Sequence, residues 1–196
     1  GSKNLKNYFE GWYFKHVSAD RQHVYAIIPG LSLSDHDSHS FVQLIDGLSG
    51  ETFYYRYPLD SFNASCRALS VELDKSHFSD RGISLHLDDE QGLIRGELKY
   101  GPFGKYPGKL SSPGIMGWYS YVPLMECKHG IVSTGHDIKG MIEVRGKTID
   151  FTGGRGYIEK DWGKSFPESW IWLHCNTFKN TDASFTFSVA KIPWIG

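Results

Sequence analysis

Tyr157, Glu159 and Asp161 stand at every second position of the segment Tyr157-Ile158-Glu159-Lys160-Asp161-Trp162-Gly163. In an extended strand this spacing puts a phenol and two carboxyls on one face, with Ile158, Lys160 and Trp162 on the other. A glutamic acid has an ordinary pKa of about 4.3, and burial raises it by disfavouring the anion. A Glu159 that faces a dry cavity would keep its proton near neutral pH and could give it to a bound molecule. A Glu159 at a strand end would instead pair with Lys160 or Arg155 and do no chemistry. His129 precedes Tyr157 by 28 residues, a separation that two strands and their turns can fold back on itself. A neutral imidazole there could take up a proton near pH 7. His136 and His174 are alternatives, and each of the three also reads as a surface or hydrogen-bonded structural histidine.

Aromatic rings are the second resource. The chain has 11 Tyr, 12 Phe and 6 Trp. Trp12, Tyr13, Trp118, Tyr119, Tyr121, Trp162, Trp170 and Trp172 could offer π faces to a cation, each worth roughly 0.5–2 kcal/mol when desolvated. For any single ring, core packing is the simpler explanation, since large aromatics fill barrels in any case. Trp170 and Trp172 lie two apart and share a strand face with His174. We therefore take Trp12, Tyr13, Trp118, Tyr121, Trp162, Trp170, Trp172 and His174 as the ligand-contacting set.

Other polar motifs carry less. Asp35-His36-Asp37-Ser38-His39 has the residue types of a metal site but no third spaced ligand, and reads as a solvated loop. Gly153-Gly154-Arg155-Gly156 lacks the Lys-Ser/Thr and helix start of a phosphate loop, and reads as a bulge or a close backbone approach. Glu10 could anchor backbone or arginine hydrogen bonds, with Arg155 as a partner. No cofactor and no metal are expected.

The elements that must position these groups are strands. Val24 to Ile28, Phe41 to Ile45, Thr52 to Tyr57, Ala68 to Leu73, Gly82 to Leu87 and Leu93 to Tyr100 are short runs of β-formers separated by turn residues. Ile83, Leu85 and Leu87 alternate with Ser84, His86 and Asp88, which gives one dry and one wet face. Gly130 to Thr134, Lys139 to Val144, Thr148 to Phe151, Trp170 to Phe178 and Ser184 to Lys191 continue the pattern, and Arg145-Gly146 fits a hairpin tip. No window has sustained helical periodicity. Evenly spaced short strands predict an all-β sandwich or barrel. The Gly- and Pro-rich stretch from Tyr100 to Gly117 predicts a long loop of the kind that covers sites. The apolar tail Pro193-Trp194-Ile195-Gly196 suggests a chain that continues.

Composition narrows the classes. With 196 residues, 21 basic and 22 acidic, the formal charge is −1. Without a basic run, a nucleic-acid surface is a poor fit. Cys66, Cys127 and Cys175 are odd in number and widely spaced, which argues against a disulfide framework. No apolar stretch is long enough to span a bilayer as a helix, and no signal peptide is visible, so a reducing, cytoplasmic setting is the expectation. Peripheral contact with a membrane stays open, and so does the oligomeric state.

Three segments then point to a family: Tyr8-Phe9-Glu10-Gly11-Trp12-Tyr13-Phe14-Lys15, the run from Gly117-Trp118-Tyr119 to Glu126-Cys127, and Glu159-Lys160-Asp161-Trp162-Gly163-Lys164-Ser165-Phe166-Pro167 continuing into Trp170 to Asn176. In this order they resemble the tocopherol cyclase family. More distantly, Tyr157-Ile158-Glu159-Lys160-Asp161-Trp162-Gly163 is similar to the Tyr-x-Asp/Glu-x-x-Trp-Gly pattern of carotenoid 1,2-hydratases. The resemblance implies a lipocalin-like fold in two barrel-like halves, with residues 3–165 as a first β unit and 166–196 as the opening strands of a second. It also implies acid-initiated chemistry. An acid protonates a prenyl double bond, and a phenol oxygen (cyclase) or water (hydratase) adds to the cation. On that pattern Glu159 is the acid and Tyr157 its neighbour, while Asp161 stands where related sequences often carry Asn; the base such chemistry needs would be His129, on its spacing from Tyr157, with His136 and His174 as alternatives. The ligand would be a prenylated hydroquinone or related isoprenoid. A lipocalin-like carrier of a hydrophobic small molecule, without turnover, is the alternative.

Overall fold

A computed structural model describes residues 7–122, 125–179 and 181–191. The tail at Pro193 to Gly196 therefore lies outside the described residues, as do Pro123 and Leu124 of the second motif. The chain is all-β. Strands β1 (Tyr8–Val17), β2 (Val24–Leu33), β3 (His39–Asp46) and β4 (Thr52–Tyr57) form an antiparallel meander. Short strands β5 (Phe62–Ala64), β6 (Ser70–Leu73) and β7 (Ser76–Ser79) lead to β8 (Gly82–Leu87) and β9 (Ile94–Tyr100). After a long connection come β10 (Cys127–Val144), β11 (Lys147–Asp150) and β12 (Gly154–Gly163).

These twelve strands make one sheet, ordered β4-β3-β2-β1-β12-β10-β9-β8-β7-β6-β5, with β11 paired to β10. The sheet rolls so that its β4 edge meets turns from the other half: the Tyr55 hydroxyl donates to the Gly92 carbonyl of the β8–β9 turn at 2.7 Å, and Arg145 of the β10–β11 turn reaches Glu51 at 3.2 Å. The result is the lipocalin-like arrangement the sequence predicts. Two further strands, β13 (Ser169–Cys175) and β14 (Phe185–Lys191), pair with each other as a separate ribbon.

Strand alternation decides which side chains go where. Trp12, Phe14, Tyr25, Ile27, Val42, Leu44, Phe53, Tyr55 and Ile158 point into the roll, where they join Phe78, Leu85, Leu98, Ile142 and Phe151 in one apolar core. Their sequence neighbours Tyr13, Ile28, Gln43, Tyr54 and Glu159 necessarily emerge on the opposite face. That second face is covered by the β13–β14 ribbon, through Lys15 Nζ to the His174 carbonyl at 3.2 Å, Asn176 Nδ2 to the Gly156 carbonyl at 2.9 Å, and a Phe9–Phe166 stack at 4.3 Å.

The sequence-based strand limits differ from the structure in instructive places. Gly130–Thr134 and Lys139–Val144 belong to a single strand, β10, interrupted by two register shifts between Ile131 and His136. Such bulges insert unpaired residues without ending the ladder. The Arg145-Gly146 turn is present, with both residues at positive φ (51° and 84°) as a two-residue hairpin of this hand requires. The connection after Tyr100 includes a 3-10 turn at Gly117–Tyr121. Among the described residues no helix is long and apolar enough to cross a membrane.

Candidate functional site

Adjacent strands β10 and β12 bring the predicted pair together. Their antiparallel register sets His129 opposite Asp161 and Ile131 opposite Glu159. His129 Nδ1 lies 2.7 Å from Asp161 Oδ1, and its Nε2 lies 3.6 Å from Glu159 Oε2. From the same strand as Glu159, the Tyr157 hydroxyl donates to Oε2 at 2.5 Å. Glu159 pairs with neither Lys160 nor Arg155. Lys160 bridges to Glu10 on the other face, and Arg155 binds Asp137 at 2.8 Å, so it does not serve Glu10 either.

Electrostatics follows from this geometry. Glu159 is 6% exposed. Burial pushes its carboxyl up to about 7; the positive charge of His129 and the Tyr157 hydrogen bond pull it down, while Asp161 pushes it further up. Burial alone would lower His129, but its hydrogen bond to Asp161 and the charges of Glu159 and Asp161 outweigh that, so its pKa is raised. His129, expected as a neutral base, thus holds a proton more firmly than an ordinary imidazole. Because Tyr157 donates to Oε2, Oε1 is the oxygen left to carry the acidic proton. Burial and the adjacent Glu159 charge hold the Tyr157 phenol well above its usual range, so it stays a donor.

The carboxyl opens onto a cavity of about 1400 Å³ between the sheet and its cover. Glu159, Asp161 and His129 line it, with Tyr13, Trp170 and Trp172 among its rings. Tyr13 meets Trp172 edge-on at 5.4 Å. His174 stacks on Tyr157 at 3.7 Å, behind the carboxyl. The remaining predicted rings sit elsewhere. Trp12 is buried in the core, under the Lys160 ammonium at 4.4 Å, because it alternates with Tyr13. Trp162 alternates with Asp161 for the same reason and packs beside Gly130. Trp118 and Tyr121 lie exposed on the 3-10 turn, and their neighbour Tyr119 lines the cavity instead.

Asp161 is the partner that sequence reasoning did not assign to His129; only the β10–β12 register reveals it. Ligand atoms of His129, Glu159 and Asp161 also all lie within 4.8 Å of one another, so these three residues could hold a metal ion. The same atoms would then be occupied by the cation in place of the retained proton. The Asp35–His39 segment is no such cluster: Asp37 is bound by Arg56, and His39 bonds Tyr54.

The chain is similar to known proteins in sequence and in fold. The family profile described as tocopherol cyclase-like matches residues 74–191. A probable chloroplastic tocopherol cyclase of Oryza sativa subsp. japonica is 32% identical over 74 residues, which are 38% of this chain and 16% of that protein. The chloroplastic tocopherol cyclase of Zea mays is 31% identical over a stretch of the same length, again 16% of that protein. The match thus spans about a sixth of these relatives. Among solved structures, CghA with Sch210972 superposes with a TM-score of 0.52 at 9% identity, covering 95% of this chain and 59% of that one, a likeness of fold alone.

Proposed function

The chain belongs to the tocopherol cyclase-like family, and on that premise we propose that it protonates a carbon–carbon double bond of a prenylated hydroquinone or related isoprenoid through Glu159. The observation that carries the reading is the buried carboxyl with its pKa near 7, inside a cavity lined largely by apolar groups. In the proposed step the Oε1 proton forms a C–H bond with the less substituted alkene carbon. The adjacent tertiary carbon becomes a cation, and the carboxylate is left behind.

The imidazolium of His129 and the hydroxyl of Tyr157 steady that carboxylate, which lowers the cost of releasing the proton. Tyr13, Trp170 and Trp172 offer π density to the short-lived cation. A phenol oxygen of the same molecule then forms the C–O bond, and its proton returns to the Glu159 carboxylate. The cycle closes with no net change in atoms. Addition of water in place of the phenol would give hydration by the same residues.

The test is incubation of the purified protein with prenylated hydroquinones, with products read by mass spectrometry. A cyclised product keeps the substrate mass, and a hydrated one gains one water. Glu159→Gln is expected to lose at least a hundredfold in turnover, within the usual range for a removed general acid. Unchanged turnover in that variant would end the assignment.

A further inference from the structure

The cavity has two polar ends. Across the sheet, register aligns one row of side chains on the cavity face. Glu159 on β12 faces Tyr13 on β1, which falls opposite Ile28 on β2 in the register set by Gly11–Gly30 and Phe14–Ile27. Ile28 faces Gln43 on β3, and Gln43 faces Tyr54 on β4. All five line the cavity. The middle of the row is an aromatic and an aliphatic side chain, flanked by Phe41, whose ring lies over Gly30. The far end turns polar again.

There, His39 Nε2 shares a 2.8 Å hydrogen bond with the Tyr54 hydroxyl. His39 is 8% exposed, and its buried Nδ1 has no hydrogen-bond partner, lying 3.5 Å from an Asp37 carboxylate that Arg56 already holds. The Gln43 carboxamide makes no side-chain hydrogen bond among the described residues, although it lines the same wall. Gln43 is half-buried, so its carboxamide, with no side chain to bond, is free to donate to or accept from a bound molecule.

We propose that the β3–β4 end of the cavity is a second, polar subsite, in which Gln43, His39 and Tyr54 hold a hydroxyl or carbonyl oxygen at the far end of an elongated ligand. Strands lie about 4.8 Å apart, so three to four spacings put this group roughly 14–19 Å from Glu159. The group is neutral, because no lysine or arginine is among the described residues lining the cavity, and the charges of Asp37 and Arg56 are spent on each other. The ligand class is therefore an isoprenoid oxygenated at its distal end, with the reactive alkene near Glu159. The subsite deepens the reading of Glu159 as the acid and specifies what that acid works on.

The experiment is isothermal titration calorimetry on the Glu159→Gln protein, where turnover does not intrude. The two probes are a geranylgeranyl hydroquinone and the same compound with a hydroxyl on the tail terminus. The hydroxylated probe is expected to bind about tenfold more tightly, as a well-made buried hydrogen bond allows. That advantage, read as the ratio of the two Kd values within each variant, should vanish in Gln43→Leu and fall severalfold in Tyr54→Phe. Thermal melting identifies any variant that fails to fold, and Tyr54→Phe, which removes one oxygen atom, stands if Gln43→Leu does not. Equal binding of both probes by the parent protein, or an advantage that survives both variants, overturns the subsite and leaves the acid assignment standing. Binding of neither probe overturns both the subsite and the cavity's role as the ligand site.

Discussion

Tyr157 and Glu159 sit two residues apart on one strand and share a hydrogen bond of 2.5 Å in a buried setting. The phenol cannot follow the carboxylate into ionisation, since its own pKa is driven far upward. It therefore fixes one carboxyl oxygen as an acceptor and leaves the other free to carry the proton that the proposed chemistry needs. Tyr157→Phe removes that donor. The carboxylate loses support, so the Glu159 pKa is expected to rise above about 7, and the alkaline limb of a pH–rate profile should shift upward while the maximal rate falls. A profile identical to the parent's would show that the hydrogen bond has no part in setting the acid.

Activity that needs a protonated Glu159 falls as pH rises through the folded pKa, about 7. Asp161→Asn tests the neighbouring pair. Without its carboxylate partner, His129 loses the main force holding its proton, and the fall in its positive charge, the larger of the two nearby charge effects on Glu159, is expected to outweigh the upward push lost with Asp161 itself. The expected result is a limb displaced to higher pH and a rate at neutral pH lower by about tenfold, the equivalent of about 1.4 kcal/mol. A uniform loss of activity at every pH, with the limb unmoved, would mean that Asp161 merely braces the strands.

Stability should peak between about pH 6.5 and 7. His16, His136 and His174 are buried and held down to about 3, 4 and 3. Their folded values lie below the unfolded value of 6.5, so their contribution is present above 6.5 and is lost as pH falls. Glu159 has the opposite sign. Its folded value lies above the unfolded 4.5, so its contribution is complete below 4.5 and is lost as pH rises to about 7. Three groups oppose one between 4.5 and 6.5, a net loss on acidification on the order of 2 kcal/mol per pH unit. Melting temperature against pH measures this. A flat curve from pH 4.5 to 6.5 would contradict it. Glu159→Gln removes the opposing slope, and should be more stable than the parent at pH 8.

Much of the framework could be read from alternation. Ile83-Ser84-Leu85-His86-Leu87 has one wet and one dry face, and the structure buries the odd positions as expected. Strand β1 was harder to recognise, because both its faces are covered: Trp12 and Phe14 meet the core, while Phe9 and Tyr13 meet the cavity. Polarity does not alternate in such a strand. The site was legible where it depended on one strand, as for Tyr157 and Glu159. It was illegible where it depended on pairing. Asp161 meets His129 only because β10 and β12 adopt one register out of several, and Gln43, His39 and Tyr54 join the same cavity only through the sheet's order.

Gly156 has a role that no motif announces. A Cβ there would overlap the imidazole of His136, itself bonded to Ser133 at 2.8 Å. Gly156→Ala should destabilise the fold by about 1–3 kcal/mol, as overpacking of a filled interior does. Denaturant unfolding measures it, and a loss within 0.5 kcal/mol, the scale of an ordinary surface change, would mean that His136 has room to move.

The most direct measurement is the pKa of Glu159 itself, followed by carbon-13 NMR of a protein labelled at glutamate carboxyls and assigned with Glu159→Gln. The carboxyl should titrate near 7, later than an ordinary glutamate. A midpoint near the ordinary value of about 4.3 would mean that this carboxyl is an anion at neutral pH and has no proton to give.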